Sequence, residues 1–234
     1  FLCGQNKPMT EIIRLTSDQL DIELWTLGAR LNGVWFQGIG SLVDGAATEE
    51  EALGAKKFNG AVVGPVANRI AGGHASLDVV DYTYERNEKA ITTLHSGATG
   101  VHAREWTILE KTANSLMLSL KLPDGEGGFP GNRTLVAEYG VQDDTMTVTF
   151  RANSAAPTWL NLALHPYWSL GLWRDAVTLR VDAARYTPVD DAKIPTGALA
   201  PVEGTIFDLR TPAVPSAEID HNFVLGPSGS LTLT

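Results

Sequence analysis

Apolar and polar residues alternate along five stretches of the chain, so that the apolar side chains of each stretch share one face of an extended backbone. A period of two residues is typical of a β-strand with one face in a core and the other toward water or a cavity. The alternation predicts strands over 20–24, 118–122, 135–141, 146–150 and 177–181.

Turn-forming residues separate these stretches. Asp124–Gly128, Asp143-Asp144 and Asp190-Asp191 all lie between apolar runs. Several strands joined by short turns favour an antiparallel sandwich or barrel. The best helix candidate, Thr48–Ala55, is short, and the sequence lacks the repeated amphipathic helices of a parallel doubly wound fold. We therefore predict an all-β protein.

Length and charge narrow the class of protein further. A chain of 234 residues fits one all-β domain. The formal net charge of −9 disfavours nucleic acid or an anionic membrane as a partner. Cys3 is the single cysteine, so no disulfide forms within the chain, and we expect a cytoplasmic protein. No apolar run approaches the ~20 residues of a membrane span.

The most informative segment for chemistry is Thr158–Leu170, where alternation predicts a strand with two unlike faces. One face is a plain core face of leucines, and the other carries an amide, an imidazole and two aromatic rings. The core face consists of Leu160, Leu162 and Leu164, and the mixed face of Trp159, Asn161, Ala163, His165 and Tyr167. Such a mixed face suits a cavity that holds a polyol. A half-buried strand with a structural histidine explains the same pattern.

Three further segments place polar side chains beside small residues. Arg69 lies in the Gly-rich stretch Gly64–Gly73, His95 precedes Ser96-Gly97, and Asp220 precedes an apolar run. An arginine fork and a carboxylate both suit sugar hydroxyls, and glycine lets a backbone approach a ligand. Each of these residues, taken alone, is also an ordinary surface or turn residue.

The residues of these segments, and the order of the segments along the chain, resemble the characteristic motifs of the aldose 1-epimerases, the galactose mutarotase family. The resemblance covers roughly residues 10–234. The segments that carry it are Gly64–Ile70, Leu94–Gly100, Gly128–Gly131, Asn161–Trp168, Pro195–Gly197, Gly204–Asp208 and Asp220–Phe223. The resemblance implies a large antiparallel β-sandwich with the sugar in an open cleft. It implies interconversion of the α and β anomers of a free aldohexose, without a metal or an organic cofactor.

The resemblance also implies roles for five residues. His165 matches the general acid that protonates the ring oxygen, and His95 matches a second active-site histidine that hydrogen-bonds the sugar near that atom. Arg69 and Asp220 match substrate-binding residues, and Tyr167 would line the pocket beside His165. We expect the two histidines to face one cleft, with Arg69 and Asp220 close enough for one hexose to touch all four.

The chain departs from the family pattern at its C-terminal end. The family's general base is a glutamate well downstream of the position of Asp220, and residues 221–234 contain no glutamate. Glu126 and Glu138 match no motif, and neither is assigned as the base. We expect a leader or tag-like segment over residues 1–8 and a single sandwich domain over 9–234 that lacks C-terminal strands of the family. We also expect this chain to bind aldoses but to interconvert their anomers slowly.

Two alternatives to the enzyme remain open on these grounds. A non-catalytic carbohydrate-binding module could use the same scaffold, because a fold does not guarantee a function. An epimerase of phosphorylated hexoses would need several cations around an anion, and Arg69 and the more distant Arg104 are the cations available.

Overall fold

The computed structural model describes residues 10–172 and 174–234, so the expected leader segment over residues 1–8 lies outside the described residues. The described chain divides into two compact units, the first ending at Trp168 and the second beginning at Ser169. The expectation of a single domain from residue 9 stays a prediction. Among the described residues, no helix is both long and apolar enough to cross a membrane.

Strands dominate the first unit. They are β1 (Ile12–Thr16), β2 (Leu20–Trp25), β3 (Arg30–Phe36), β4 (Val62–Val63), β5 (Arg69–Ile70), β6 (His74–Leu77), β7 (Val80–Thr83), β8 (Thr93–Leu94), β9 (Thr107–Lys111), β10 (Ser115–Leu122), β11 (Arg133–Gln142), β12 (Thr145–Ser154) and β13 (Ala163–Leu164). Helix α1 spans Glu49–Leu53, and short 3₁₀ helices span Ala71–Gly73, Gly97–Thr99, Val101–Ala103 and Glu126–Gly128.

Two antiparallel sheets enclose the core of this unit, which confirms the predicted β-sandwich. One sheet has the order β1-β2-β3, and the other has the order β12-β11-β10-β9. Their apolar faces supply one buried cluster, which includes Ile22 and Leu24 from the first sheet and Leu118, Leu120 and Leu135 from the second. The alternation in the sequence therefore marks the faces that meet in this core.

The longest hairpin, β11–β12, shows how a local turn sets the register of a whole pair of strands. Gln142 pairs with Thr145, and the register runs without a shift to Arg133 opposite Ser154. Asp143 adopts a left-handed φ of 52°, which a tight hairpin turn requires and which aspartate tolerates. The predicted turn at Asp143-Asp144 is confirmed.

One buried tyrosine ties the second sheet to the first. The hydroxyl of Tyr139 on β11 donates a hydrogen bond to the carbonyl oxygen of Ala29, immediately before β3, over 2.5 Å. The side chain is fully buried, and burial raises the pKa of its hydroxyl. The bond satisfies a polar group that would otherwise be costly inside the core.

The predicted helix is confirmed in a shorter form. Thr48 caps it, with its side-chain oxygen accepting a hydrogen bond from the amide N–H of Glu51 over 3.2 Å. The helix ends at Leu53 rather than Ala55, because Gly54 follows it with a non-helical backbone. Threonine at this position satisfies an amide that the first helical turn leaves without a partner.

The second unit contains smaller sheets. Its strands are β14 (Leu179–Val181), β15 (Ala183–Tyr186), β16 (Ala200–Pro201), β17 (Phe223–Leu225) and β18 (Leu231–Leu233), with a 3₁₀ helix over Arg174–Ala176. Strand β14 pairs with β18, and β15 lies between β16 and β17. Val177 precedes β14, so the predicted strand over 177–181 begins two residues later in the structure.

Candidate active site

His165 follows β13 on an extended segment that is held along residues 60–67. β13 pairs with β4, with Ala163 opposite Val63 and Leu164 opposite Val62. Beyond the strand, the backbone of His165 donates to the carbonyl of Ala61 over 3.0 Å and accepts from the amide of Gly60 over 2.8 Å. The backbone position of His165 is therefore set by hydrogen bonds from both its amide and its carbonyl group to residues 60 and 61.

The two faces predicted for Thr158–Leu170 are confirmed only in part. Leu162 and Leu164 pack against the main core, but Leu160 is 41% exposed, so its assignment to a core face is wrong. The regular strand covers only Ala163–Leu164, and it ends before Pro166, which cannot donate to a ladder. Alternation therefore does not extend back to Leu160.

Trp159 departs from the predicted mixed face. Its ring makes edge contacts with Tyr82 and Tyr84, at centroid distances of 5.4 and 6.2 Å. These two tyrosines lie on and beside β7, in a different aromatic cluster from the one around His165. The segment before β13 does not continue the strand, so the period of two residues no longer fixes which residues share a face.

His95 lies on a loop that is bonded to the Gly64–Gly73 segment. Its amide donates to the carbonyl of Asn68 over 2.9 Å, and its Nδ1 atom accepts from the amide of Asn68 over 3.0 Å. The hydroxyl of Ser96 adds a second tie, because it accepts from the amide of Val66 over 2.9 Å and donates to its carbonyl over 3.1 Å. The loop is thus fixed by bonds between residues about 30 positions apart in the sequence.

The backbone of this loop is left-handed over three consecutive residues. His95, Ser96 and Gly97 have φ values of 51°, 66° and 70°. Glycine adopts this region freely, whereas histidine and serine do so at a cost. A Cβ atom on Gly97 would collide with the carboxylate of Glu85. Local strain of this kind persists where the surrounding bonds hold it and often occurs at functional sites.

The structure brings the rings of His95 and His165 into contact. The ring centroids are 5.2 Å apart and the planes are nearly perpendicular, at 87°. His95 is buried and His165 is half-buried. The half-exposed ring of Tyr167 lies 5.3 Å from that of His165. Together these residues form a patch of imidazole and phenol that reaches the surface.

The ring of Phe58 contacts those of His95 and His165, and also the ring of a third histidine, His102. Its ring centroid lies 4.6 Å from His95, 4.8 Å from His102 and 6.1 Å from His165. The contacts with His95 and His102 are edge-on, a geometry that aromatic rings favour. Phe58 therefore fixes the packing of the histidine pair from one side.

Arg30 holds the loop that carries Phe58. It is fully buried and donates to the carbonyl oxygens of Ala52, Lys56 and Lys57 at 2.9, 3.0 and 3.1 Å, and also to that of Asn59. Burial lowers the pKa of its guanidinium to about 10. Because these carbonyls lie on both sides of Phe58, the arginine shapes the backbone that presents this ring.

Burial and neighbouring basic side chains keep His95 neutral. Burial is the largest cause, followed by the nearby His165, His102 and Arg69, and together they lower the pKa of His95 to about 3. Since Nδ1 accepts a hydrogen bond from an amide, the single proton of the neutral ring lies on Nε2. His95 can therefore donate a hydrogen bond at neutral pH but cannot readily carry a second proton.

Arg69 is ion-paired in this structure. It lies on β5, and its guanidinium donates to the carboxylate of Glu88 through Nε over 2.6 Å and through Nη2 over 2.8 Å. Its Nη1 atom donates to the side-chain oxygen of Asn68 over 3.1 Å. Asn68 is also the residue that bonds His95, so Arg69 belongs to the same small network as the histidine pair.

Asp220 belongs to the second unit, where it is exposed and lies three residues before the start of β17. Its amide donates to Nδ1 of the neighbouring His221 over 3.2 Å. The ring of His221 contacts those of Phe207 and Tyr186, which stack on each other at a centroid distance of 4.0 Å. The expectation that Asp220 shares a cleft with Arg69 stays a prediction.

The two glutamates that match no motif both form ion pairs. Glu126 pairs with Arg104, and Glu138 on β11 pairs with Arg151 on β12. Among the described residues, no three or more His, Cys, Asp or Glu side chains cluster as metal ligands would. A surface hollow of about 460 Å³ lies beside the β11–β12 turn and contains none of the predicted site residues. Side-chain chemistry rather than cavity size therefore locates the candidate site.

Sequence reasoning missed three residues of this network: Phe58, Glu88 and His102. Phe58 follows two lysines, Glu88 lies in a run of charged residues, and His102 occurs between small and apolar residues. Each of these local contexts is that of an ordinary surface or core residue. The nearness of Glu88 and His102 to His95, at seven residues on either side, is the one signal that could have drawn attention to them.

Comparisons with known proteins relate this chain to one family. The family model for aldose 1-epimerase matches residues 11–233. A galactose mutarotase from Rattus norvegicus is 36% identical over 236 residues, which cover 93% of this chain and 68% of the rat protein.

Solved structures share the fold. The crystal structure of an aldose epimerase homologue from C. elegans superposes with a TM-score of 0.89 at 27% identity, covering 96% of this chain and 75% of that one. A galactose 1-epimerase from Lactobacillus acidophilus NCFM superposes with a TM-score of 0.87 at 25% identity, covering all of this chain and 75% of that one. A family match along nearly the whole chain, joined to this likeness of sequence and fold, means that the protein belongs to the aldose 1-epimerase family.

Proposed function

We propose that this chain interconverts the α and β anomers of a free aldohexose such as galactose or glucose. The observation that carries the proposal is the contact between His95 and His165 in a chain of the aldose 1-epimerase family. The rat relative is named a galactose mutarotase, which supports a hexose as the substrate. A cytoplasmic location fits a chain with one cysteine and belongs to the same proposal.

The histidine pair can divide two tasks between its members. Two cationic imidazoles about 5 Å apart would repel each other by roughly 3 kcal/mol at an effective dielectric constant of 20. Burial keeps His95 neutral, and His165 is the more exposed of the two rings. We assign His165 as the general acid and His95 as a neutral hydrogen-bond donor through Nε2.

The reaction that these roles serve is a reversible ring opening. A base removes the proton from the anomeric hydroxyl, the bond between the anomeric carbon and the ring oxygen breaks, and His165 protonates that oxygen. Rotation about the bond next to the aldehyde then lets the hydroxyl add to the other face, with the proton transfers reversed. No net proton is consumed, and histidine suits the acid step because it titrates near neutral pH.

The remaining predicted residues bind the sugar in this proposal. Arg69 offers N–H groups in a fixed plane to hydroxyls, and the ring of Tyr167 offers an apolar face beside His165. Asp220 accepts hydroxyl hydrogen bonds. The ion pairs of Glu126 and Glu138 give no reason to assign either carboxylate as the base.

Neither alternative gains support. The relatives described above are named as mutarotases or epimerases, and nothing in the comparisons favours a non-catalytic binding module. An epimerase of phosphorylated hexoses needs cations free for an anion, whereas Arg104 is paired with Glu126 and Arg69 with Glu88.

Polarimetry of freshly dissolved α-galactose and α-glucose tests the proposal. The protein should accelerate the approach to equilibrium in proportion to its concentration, and His165→Asn should remove most of this acceleration. His74→Asn is the matched control, because His74 is an exposed histidine on β6. A folded protein that leaves the rate at the level of buffer with several aldoses would refute the proposal.

A further inference from the structure

Arg69 and His95 are neighbours through a short pair of strands. β5 pairs with β8, and Arg69 lies opposite Leu94, the residue directly before His95. The side chain of Arg69 is only 12% exposed, so few orientations are open to it. Anything that holds the guanidinium of Arg69 therefore acts within the immediate surroundings of the histidine pair.

The carboxylate of Glu88 holds this guanidinium through both of its oxygens. Oε2 accepts from Nε of Arg69 over 2.6 Å, and Oε1 accepts from Nη2 over 2.8 Å. The hydroxyl of Thr92 adds a third hydrogen bond to Oε2 over 2.8 Å. Two parallel charge-assisted bonds fix the plane of a guanidinium as well as its place. Nη1 of Arg69 also donates to the side-chain oxygen of Asn68 over 3.1 Å, so a second side chain contacts the same guanidinium.

A tight turn places Glu88 within hydrogen-bonding distance of the Arg69 guanidinium. The amide of Glu88 donates to the carbonyl of Thr92 over 3.1 Å, and the amide of Ile91 donates back to the carbonyl of Glu88 over 3.0 Å. Asn87, at the start of the turn, bonds the backbone of Leu94 twice, donating to its carbonyl over 3.0 Å and accepting from its amide over 2.7 Å. One turn thus holds both the side chain of Arg69 and the strand that leads into His95.

We propose that Glu88 is a positioning residue for substrate binding, which fixes the place and the plane of the Arg69 guanidinium against the sugar. The inference rests on the proposed function, because it takes Arg69 as a sugar-binding residue. A free arginine side chain loses much rotational freedom when it binds, and an arginine held in advance loses less. Three hydrogen bonds already occupy the carboxylate of Glu88, so its task is to hold Arg69 and not to accept the anomeric proton.

The test compares Glu88→Gln with the unaltered chain in two assays, galactose affinity by titration calorimetry and anomer interconversion by polarimetry. A glutamine keeps the size but can accept bonds at only one atom, and its amide nitrogen meets an N–H of Arg69. We expect Kd and KM for galactose to rise on the order of 10-fold, with kcat changed by less than about 2-fold. Glu88→Asp should recover part of the affinity, because it restores the carboxylate at a shorter reach.

Glu23→Gln is the matched control for loss of a paired carboxylate. Glu23 on β2 also has three partners, Arg14, Trp25 and Asn32, and none of them belongs to the histidine network. This variant should leave Kd for galactose unchanged. An equal loss of affinity in both variants would assign the effect to general destabilisation and overturn the proposal.

A double-mutant cycle with Arg69→Ala decides whether Glu88 acts through Arg69. If it does, adding Glu88→Gln to Arg69→Ala should change Kd by less than about 2-fold. A full further loss of affinity, or a fall in kcat with Kd unchanged, would overturn the inference. The two assays separate this outcome from failure of the proposed function, because affinity for galactose is measured whether or not the protein accelerates mutarotation.

Discussion

Acid should destabilise this protein through two buried histidines, His95 and His102. Burial is the largest cause that lowers their pKa values, to about 3 for His95 and about 4 for His102, from an ordinary value of 6.5. In the unfolded chain both rings titrate near 6.5. Below that pH the unfolded state binds more protons than the folded state, so the free energy of unfolding falls as the pH falls.

The pKa values set the size of the effect. Between pH 7 and pH 5 an unfolded histidine takes up most of one proton, whereas the folded His95 and His102 take up almost none. Integrating the proton difference gives a loss of about 2 kcal/mol for each histidine over this interval, or about 4 kcal/mol for both. A loss of this size is a large fraction of the stability of a typical domain.

Urea unfolding at pH 7, 6 and 5 measures the loss directly. Tryptophan fluorescence suits the first unit, because five of the six tryptophans precede Ser169 in the sequence. His102→Asn should retain only about half of the loss between pH 7 and pH 5. Within the described chain the buried Nδ1 atom of His102 has no hydrogen-bond partner, so the substitution sacrifices no bond at that atom.

The comparison concerns the change with pH and not the stability at one pH. His74→Asn serves as the control, since His74 is exposed whereas His102 is buried. It should leave the pH dependence of unfolding as it is in the unaltered chain. If His102→Asn shows the same loss between pH 7 and pH 5 as the unaltered chain, the argument from burial is refuted.

Three further outcomes are expected. His165→Asn should lower kcat for mutarotation on the order of 10²-fold or more with a modest change in KM, because a positioned acid acts on the transition state; near-normal kcat in polarimetry would remove it from that role. Asp220→Asn should act mainly on KM, and an unchanged KM with a large loss of kcat would contradict a binding role. Arg30→Met should lower the free energy of unfolding in urea by about 3 kcal/mol, since it leaves several buried carbonyls without donors; a loss below about 1 kcal/mol would show that water replaces the guanidinium.

Much of the fold follows from the local pattern of apolar, polar and turn-forming residues in the sequence. The alternation over Leu118–Leu122 and Leu135–Val141 recurs in the buried faces of β10 and β11, because side chains of a strand alternate between faces whatever lies around them. The turn at Asp143-Asp144 is equally local. The pattern failed at Leu160, where no ladder continues and the alternation therefore no longer predicts burial.

The candidate site also has a part that the sequence predicts and a part that only the structure shows. The sequence motifs around Arg69, His95 and His165 identify these residues as candidates without any structure. Their nearness depends on hydrogen bonds and ring contacts between distant parts of the chain, such as the contact of His95 with His165 and the bond of Asn68 to His95.

Tertiary structure alone revealed the supporting residues. Phe58, Glu88 and Arg30 carry no motif, and their surroundings come from segments far along the chain, as with the carbonyls that Arg30 contacts 22 to 29 residues away. The neutral state of His95 is likewise a tertiary property, because it follows from burial and from the basic side chains packed around the ring. A sequence pattern reports the period of the backbone, whereas burial and charge at one atom depend on every segment that packs against it.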